Sequence, residues 1–430
     1  MGQNTRKRHP DVDTGWAWAS LLSAFMVQVI MIGLILSMGV FYSDILTQFN
    51  KGPVLTGWVI AVNGAMNTLV GPIGSTLSNR YGFTLVIFLG SLISFSGFFI
   101  TYFANDFWLV FFCFGFLTGI GSGLGMAASF GVVAVYFDRH QRLASSVLTL
   151  GIGLGLLIFP VLNRILIEHY TWRGASLVLS AISLHSIAFS CVFVHQPRLK
   201  TSKSLADNAD FSLFRKISFY IIVLHFFLLA GYSLFIQLAV RYASQNVGIT
   251  AHQAVLALSS HGFFNICGRL MAIAFTSTRM AAPLGVRFWA FHVATLATAA
   301  GIIMYAWSST LMAVLAWSGA VGFFVGVRWS FLPGIQMEIL SPRRFATSFS
   351  YGLCAMGIAT LIFPPLGEWI AVVASTPEAP FYLGGVCVAL AGGAMILLQG
   401  VFKPKSPDNK AMDHMESVEE KMLRTGSVLL

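Results

Sequence analysis

Two arginines lie in the middle of long apolar segments of this 430-residue chain, Arg269 and Arg328. Asn265 and His261 precede Arg269 at four-residue spacing, which would place the three side chains on one face of a helix. Counted from the segment centres, both arginines share a depth at which the apolar segments carry no acidic residue. A guanidinium can bind a carboxylate through two parallel hydrogen bonds. The pattern therefore predicts a binding site for an anion.

The same polar residues have plainer interpretations, which the sequence leaves open. Arg269 could extend its charged end to the membrane interface, and Arg328 could bind backbone carbonyl groups. Asn63 and Asn67, four residues apart in another apolar segment, could bind a solute or join helices by hydrogen bonds. A charge in the hydrocarbon layer costs at least about 2.5–3.5 kcal/mol on insertion scales, so both arginines remain candidate site residues.

The other reactive residue types do not form a catalytic or metal-binding pattern. The five cysteines lie inside apolar runs and show neither metal-ligand spacing nor a disulfide framework. Glycines clustered between positions 115 and 125 would need a preceding strand to form a phosphate loop, whereas in an apolar helix they favour close packing. We therefore expect no catalytic residues, metal or cofactor. The rival, a membrane-embedded enzyme, should show titratable residues clustered at one depth.

The segments that carry these residues make up most of the chain. It is 56% hydrophobic and 10% charged, with a mean hydropathy of +0.77, whereas soluble chains carry roughly 25% charged residues. Lipid must be the main solvent, and apolar runs of about 20 residues favour helices over a β-barrel. We expect twelve transmembrane spans, numbered 1 to 12 in chain order, at about 16–41, 54–78, 83–104, 107–136, 144–168, 172–194, 217–240, 252–275, 284–307, 310–338, 345–373 and 379–402.

The net charge of +10 follows membrane topology and does not indicate a nucleic-acid partner. If the N-terminus is cytoplasmic, 20 of the 26 Lys and Arg residues fall on the cytoplasmic side and four on the outer side. An excess of positive charge in cytoplasmic loops is the usual determinant of orientation. The sequence therefore predicts a multi-pass protein of the lipid bilayer with both termini in the cytoplasm.

An internal repeat predicts two similar halves. Residues 139–160 and 343–364 both begin with a basic residue, continue with small residues and glycine, and end in Leu-Ile-Phe-Pro, so span 5 corresponds to span 11. Two parallel six-helix halves describe the major facilitator architecture. The predicted fold is all-α, with twelve transmembrane helices in two pseudo-symmetric halves. The predicted parts are a cytoplasmic N-tail at 1–15, an N-terminal half at 16–194, a cytoplasmic central loop at 195–216, a C-terminal half at 217–402 and a cytoplasmic C-tail at 403–430.

Two segments resemble signatures of the proton-linked monocarboxylate transporter family, solute carrier family 16 of the major facilitator superfamily. The first is Asp13-Thr14-Gly15-Trp16-Ala17-Trp18, and the second runs from Tyr136 to Ala144 and is followed by spaced glycines. Thr14 and Ser146 depart from the pattern, since glycine is usual there, and Asn79 stands where an acid is common. Further similar segments are Gly71-Pro72 through Gly82, Tyr170 to Gly174, Gly268-Arg269 and Pro364 to Gly367.

The resemblance implies that Arg269 binds the substrate anion. Proton-coupled members pair that arginine with an aspartate one turn earlier, where this chain has Asn265, and carry a lysine late in span 1, where it has Leu36. Neither replacement can take part in proton coupling, although His225 or His261 could titrate instead. Loop charges that resemble the cytoplasmic gate of facilitators, or that only orient the chain, are Arg80, Arg139, Arg142, Arg343 and Arg344.

These observations predict a secondary active or facilitative transporter of small monocarboxylates in the plasma membrane, working by alternating access. Its expected partners are a small organic anion, with or without a proton, and the lipid bilayer. An accessory single-span chaperone is compatible with the resemblance but does not follow from the sequence. The alternatives are a proton-independent facilitator of neutral or zwitterionic solutes, such as amino acids or creatine-like molecules, and a non-transporting receptor or scaffold.

Overall fold

All regular secondary structure in the described part of the chain is helical. Within it, nine helices are long and apolar enough to cross a membrane, and a bent pair would make a tenth. Predicted spans 5 and 6 form one of the nine, and predicted span 8, with its polar stripe, is not among them. Eleven of the twelve predicted spans thus correspond to helices, or to the bent pair, that are long and apolar enough to cross a membrane. Span 8 forms a helix of 26 residues outside that set. The computed structural model describes residues 12–137, 140–195, 217–276, 278, 283–340 and 342–401.

The first six spans begin at Gly15 and are interrupted at several points. A 3₁₀ turn divides span 1, and a π-helical segment lies within span 4. Spans 5 and 6 follow each other within Gln141–Ser190, with the non-helical Thr171 between them, and Cys191–His195 extends span 6 as a 3₁₀ turn. The elements are Gly15–Leu36, Met38–Phe41 and Tyr42–Phe49 (span 1), Pro53–Leu69 and Gly71–Tyr81 (span 2), Phe83–Tyr102 (span 3), Phe107–Val110, Phe111–Leu117 and Thr118–Tyr136 (span 4), and Gln141–Ser190 (spans 5 and 6).

The last six spans are less interrupted. Only span 7 is broken into two helices, at Ala230 and Gly231. The elements are Ile217–Leu229 and Tyr232–Asn246 (span 7), Ala251–Thr276 (span 8), Leu284–Tyr305 (span 9), Leu311–Leu340 (span 10), Pro342–Val373 (span 11) and Ala379–Val401 (span 12). The predicted tails and central loop lie wholly or mostly outside the described residues, so the domain boundaries stay predictions.

Two breaks in the first half have local causes. Span 2 bends by 42° between its two helices, where Pro72 lies in the first turn of the second helix and lacks the N–H that would continue the first. Thr171 interrupts the long helix with φ 62° and ψ 170°, a conformation that a β-branched residue rarely adopts. It falls between predicted spans 5 and 6, so the two spans are separated there.

The interface between the halves has the symmetry that the repeat predicts. Span 2 packs against span 11, and span 5 packs against span 8. Span 8 is the counterpart of span 2, and span 5 is the counterpart of span 11, so the two pairs are equivalent under the twofold relation of the halves. At the second pair, the Ser259 hydroxyl donates a hydrogen bond of 2.9 Å to the carbonyl of Leu157. Spans 1 and 7, which are each other's counterparts, also touch, because a Cβ at Gly39 would lie 2.7 Å from the carbonyl oxygen of Gln237.

The two signature segments meet at the end of the bundle where the chain enters it. Asp13 lies 3.5 Å from the His140 ring nitrogen, and its backbone N–H donates to the carbonyl of Tyr136 at 3.0 Å. Trp18 packs edge-on against Phe137 with ring centroids 5.2 Å apart. Segments more than a hundred residues apart thus form one contact between the start of span 1 and the turn before span 5.

Glycines bring spans 8 and 10 into backbone contact. A Cβ added at Gly268 would meet the carbonyl oxygen of Phe323, and one added at Gly322 would meet that of His261. Such close approach is how helices associate in lipid, where small residues let backbones touch. Because Arg269 follows Gly268 and Arg328 lies two turns after Gly322, this contact places the two arginines on neighbouring helices.

Gly322→Ala is expected to destabilise the folded protein, because its methyl group would overlap the His261 carbonyl. Overpacking of this kind typically costs about 1–3 kcal/mol. Gly334→Ala in the same helix is the matched control, since its Cβ would meet no atom within 4 Å. Thermal unfolding of the purified protein can be monitored by size-exclusion chromatography after heating. The midpoint should be lower for Gly322→Ala and unchanged for Gly334→Ala. Equal midpoints would contradict the packing argument.

Candidate functional site

Arg269 is buried in span 8, with 3% of its surface exposed. Its Nε donates a hydrogen bond of 2.9 Å to Asn265 Oδ1 one turn earlier, and Asn265 Nδ2 donates to the carbonyl of Gly322 at 3.2 Å. A neutral amide therefore orients the guanidinium from one side. The two Nη atoms form no hydrogen bond with any described residue, so they remain available as donors.

His261, the third residue of the predicted stripe, contacts span 7. Its Nε2 lies 2.7 Å from the Tyr232 hydroxyl, and its ring packs against Tyr232 and Phe235 with centroids 5.7 Å away in both cases. The Tyr232 hydroxyl is within electrostatic range of Arg269 and Arg328. An aromatic wall with a polar edge therefore lies within electrostatic range of the guanidinium groups, and sequence reasoning missed the part that Tyr232 contributes.

Arg328 in span 10 is completely buried. Its Nε, Nη1 and Nη2 atoms have no hydrogen-bond partner among the described residues. Its electrostatic interactions are with Arg269 and Tyr232, and those of His225 and His261 include Arg328. The structure thus brings both arginines and His261 into one cluster between spans 7, 8 and 10.

The cluster carries positive charge that no described carboxylate neutralises. The ion pairs between described residues join His140 to Asp13, Arg164 to Glu168, and Arg241 to Glu368. A buried, unpaired cation costs several kcal/mol, and an ionised partner that accepts its hydrogen bonds recovers that cost. The arrangement is therefore suited to hold an anionic guest.

Asn63 and Asn67 occupy a different part of the bundle. Asn63 is buried, and its Nδ2 donates to the Thr118 hydroxyl at 2.6 Å and to the Phe114 carbonyl at 3.2 Å, which joins span 2 to span 4. Asn67 is also buried, and its Nδ2 has no partner within the described ranges. No contact between described residues links either side chain to the arginine cluster, and Asn63 makes the interhelical bonds that were one of its two predicted uses.

Little of the predicted cytoplasmic gate falls in the described part of the chain. Arg80 ends span 2 with an exposed side chain, and its guanidinium carbon lies 5.2 Å from the centre of the Tyr81 ring. Arg139 and the side chains of Arg142, Arg343 and Arg344 lie outside the described residues. The gate assignment therefore stays a prediction.

A second polar cluster, which we call the Arg241 clasp, was missed by sequence reasoning. Arg241 Nη1 donates to the Glu368 carboxylate and, at 3.0 Å, to the Tyr42 hydroxyl, and its guanidinium carbon lies 4.9 Å from the Tyr42 ring centre. The Tyr42 hydroxyl donates to the Pro53 carbonyl at 2.9 Å. The clasp joins spans 1 and 2 to spans 7 and 11 at the end opposite the signature contact. The only feature of the sequence that pointed to the clasp was an acid, Glu368, near the end of span 11.

Comparison with known proteins agrees with this architecture. Residues 17–282 match the family model described as Major Facilitator Superfamily. The chain is 24% identical to Monocarboxylate transporter 13 of Bos taurus over 93% of each chain. It is 24% identical to Monocarboxylate transporter 6 of Homo sapiens over 90% of this chain and 82% of that one. It is 32% identical to Monocarboxylate transporter 14 of Homo sapiens over 43% of this chain and 36% of that one.

Tyr42→Phe is expected to loosen the clasp, because it removes the hydroxyl that bridges Arg241 and Pro53 while keeping the ring. Leu238, which lines a small cavity beside Arg241, offers a reporter position. In a cysteine-free background, a membrane-impermeant maleimide should label Leu238→Cys severalfold faster when Tyr42→Phe is present.

Tyr382→Phe is the control for the clasp. Its hydroxyl accepts a hydrogen bond of 2.7 Å from Trp307 Nε1 within the second half, at the same end of the bundle. It should leave the labelling rate at Leu238→Cys unchanged. If both tyrosine variants label at the same rate, the clasp does not hold the two halves together.

Proposed function

This chain belongs to the monocarboxylate transporter family of the major facilitator superfamily, and from that membership we propose that it carries small monocarboxylates across the plasma membrane. As a family member it is a multi-pass membrane transporter. The observation that carries the substrate proposal is the buried Arg269, whose Nε is held by Asn265 and whose Nη atoms have no hydrogen bond to a described residue. The names of its relatives support the same substrate class.

Arg269 would bind the carboxylate through its two Nη donors, because a guanidinium and a carboxylate match in a planar, two-bond geometry. Asn265 fixes the plane of the fork and adds no charge of its own. The apolar body of the substrate would lie against the aromatic wall of Tyr232 and Phe235. Neutralising the guanidinium lowers the cost of enclosing it, so the loaded site closes more readily than the empty one.

Transport then follows from movement of the two halves about this site. The interface pairs 2–11 and 5–8 are equivalent, so opening one end and closing the other needs the same kind of rocking at each. The Arg241 clasp closes the end opposite the signature contact, and Arg80, Arg139, Arg142, Arg343 and Arg344 would gate the other. With both termini cytoplasmic, the clasp faces the outside of the cell.

Coupling to protons is not supported by the residues at this site. Asn265 cannot titrate, and Leu36, half-buried against the core, cannot carry charge. The buried histidines His225 and His261 are both within electrostatic range of Arg328. We therefore propose a carrier driven by the gradient of its substrate. Proton symport is to be tested by measuring uptake at two external pH values.

The alternative is a facilitator of neutral or zwitterionic solutes, such as amino acids or creatine-like molecules. Asn265 favours it, because an amide can bind uncharged groups. A zwitterion also brings an ammonium group, which needs an acceptor of negative charge. No described carboxylate pairs with the arginine cluster, so the charges of the site favour the anion.

The protein reconstituted in liposomes is expected to take up labelled lactate or pyruvate in preference to amino acids and creatine. Arg269→Ala should reduce this uptake by about tenfold or more, since truncating one partner of a buried charge pair is costly. Arg164→Ala removes an arginine paired with Glu168 on the surface and is the control. Full anion uptake by Arg269→Ala would remove the site assignment. Preferred uptake of amino acids or creatine would favour the alternative.

Asn265→Asp tests the role of the neutral amide. A carboxylate at this position would keep the bond to Arg269 Nε and would compete with the substrate for its charge. We expect lower lactate uptake at neutral external pH and recovery at acidic pH, where the new carboxyl can be protonated. The ratio of lactate uptake at acidic pH to lactate uptake at neutral pH should be higher for this variant than for the wild type. An unchanged ratio would show that position 265 does not influence the anion.

A further inference from the structure

We propose that Arg328 forms a second anion-binding position beside Arg269, so that the site takes up two negative charges together. This inference rests on the proposed function, in which a carboxylate binds Arg269. The second group is a small monovalent anion or anionic substituent. It is either the second carboxylate of a dicarboxylate substrate or an inorganic anion such as chloride bound with a monocarboxylate.

The first argument is the state of the Arg328 side chain. It has 0% of its surface exposed, and its Nε, Nη1 and Nη2 lack partners among the described residues. A guanidinium carries five N–H donors. Leaving buried donors without acceptors is costly, and more so when the group is charged. The plainer interpretation of the sequence was that Arg328 binds backbone carbonyl groups. No carbonyl group of the described residues accepts a hydrogen bond from its side chain.

The second argument is the placement of this side chain. Arg328 interacts electrostatically with Arg269 and with the Tyr232 hydroxyl, so it belongs to the cluster in which the substrate carboxylate would bind. The contacts of Gly268 and Gly322 hold spans 8 and 10 together and prevent the two like charges from separating. Their repulsion persists until anions enter between or beside them.

The third argument is the balance of charge. One carboxylate on Arg269 leaves Arg328 uncompensated, and enclosing a net charge in a site without water is unfavourable. The neutral groups nearby can accept a hydrogen bond but cannot supply charge. His225 illustrates this, since its Nδ1 donates to the Ala391 carbonyl at 2.8 Å and only the lone pair of its Nε2 remains. Two anionic groups bring the cluster to neutrality.

The test uses purified full-length protein in liposomes, with lactate and malonate as labelled substrates and with isethionate replacing chloride in one arm. If chloride fills the second position, lactate uptake should fall about tenfold or more without chloride. If a second carboxylate fills it, malonate should be taken up in preference to lactate by a similar factor, with no chloride requirement. Either result supports the second position and identifies its source.

Arg328→Gln should abolish whichever dependence the wild type shows. Lactate uptake should then no longer depend on chloride, or malonate should lose its preference over lactate. Arg164→Gln, on the surface, should keep the wild-type behaviour. If Arg328→Gln does not give a monodisperse protein, Arg328→Lys keeps the charge without the planar fork, and the wild-type arms decide on their own.

The proposal is overturned if the wild type takes up lactate, loses it in Arg269→Ala, and responds neither to chloride nor to a second carboxylate. It is also overturned if Arg328→Gln keeps the wild-type dependence. In both cases the carboxylate carrier stands. If neither lactate nor malonate is transported, the proposed function itself fails, and the second position fails with it.

Discussion

The close contact of spans 8 and 10 forces two guanidinium groups into one buried cluster without a described carboxylate to neutralise them. A folded protein tolerates this only if the rest of the bundle is stable enough to bear the cost. Binding of an anion would reduce this cost, so binding energy would be available on span 8, which also packs against the other half. Asn265 orients Arg269, the rings of Tyr232 and His261 pack nearby, and the glycine contacts hold spans 8 and 10 together.

The geometry of the interface explains how binding at the cluster can be transmitted. Span 8 carries Arg269 and also packs against span 5 of the other half through Ser259 and Leu157. A change in charge at Arg269 would therefore act on a helix of the interface that moves in the proposed mechanism. The Arg241 clasp lies on spans 7 and 11, the second of which forms the equivalent interface with span 2. Site and clasp are thus linked through packed helices, which is a physical route for coupling occupancy to closure.

Much of this could be predicted from the sequence, because it depends on local patterns. Apolar run length predicted the spans, and the Leu-Ile-Phe-Pro repeat made span 5 the counterpart of span 11. Four-residue spacing placed Asn265 and Arg269 on one helix face, where the structure has a hydrogen bond between them. Arg241 and Tyr42 are 199 residues apart, and Tyr232 and His261 belong to different helices. Such contacts follow from how helices rotate and tilt against each other, which hydropathy does not encode. Asn63 was ambiguous for the same reason, since only packing decides whether an amide faces a neighbour.

The departures from the proton-coupled pattern acquire a common explanation from the charge of the cluster. That pattern has a lysine, an arginine and an aspartate, which leaves one net positive charge for a monocarboxylate once the acid is ionised. Here Leu36 and Asn265 remove one cation and the anion, while Arg328 adds a cation on span 10. The result is two positive charges and no titratable acid. Asn265 cannot adjust the charge of the site by taking up a proton, so in our proposal the guest supplies the balance. Under the proposed function, coupling would therefore depend on the anions that enter with the substrate and not on a protein carboxyl group.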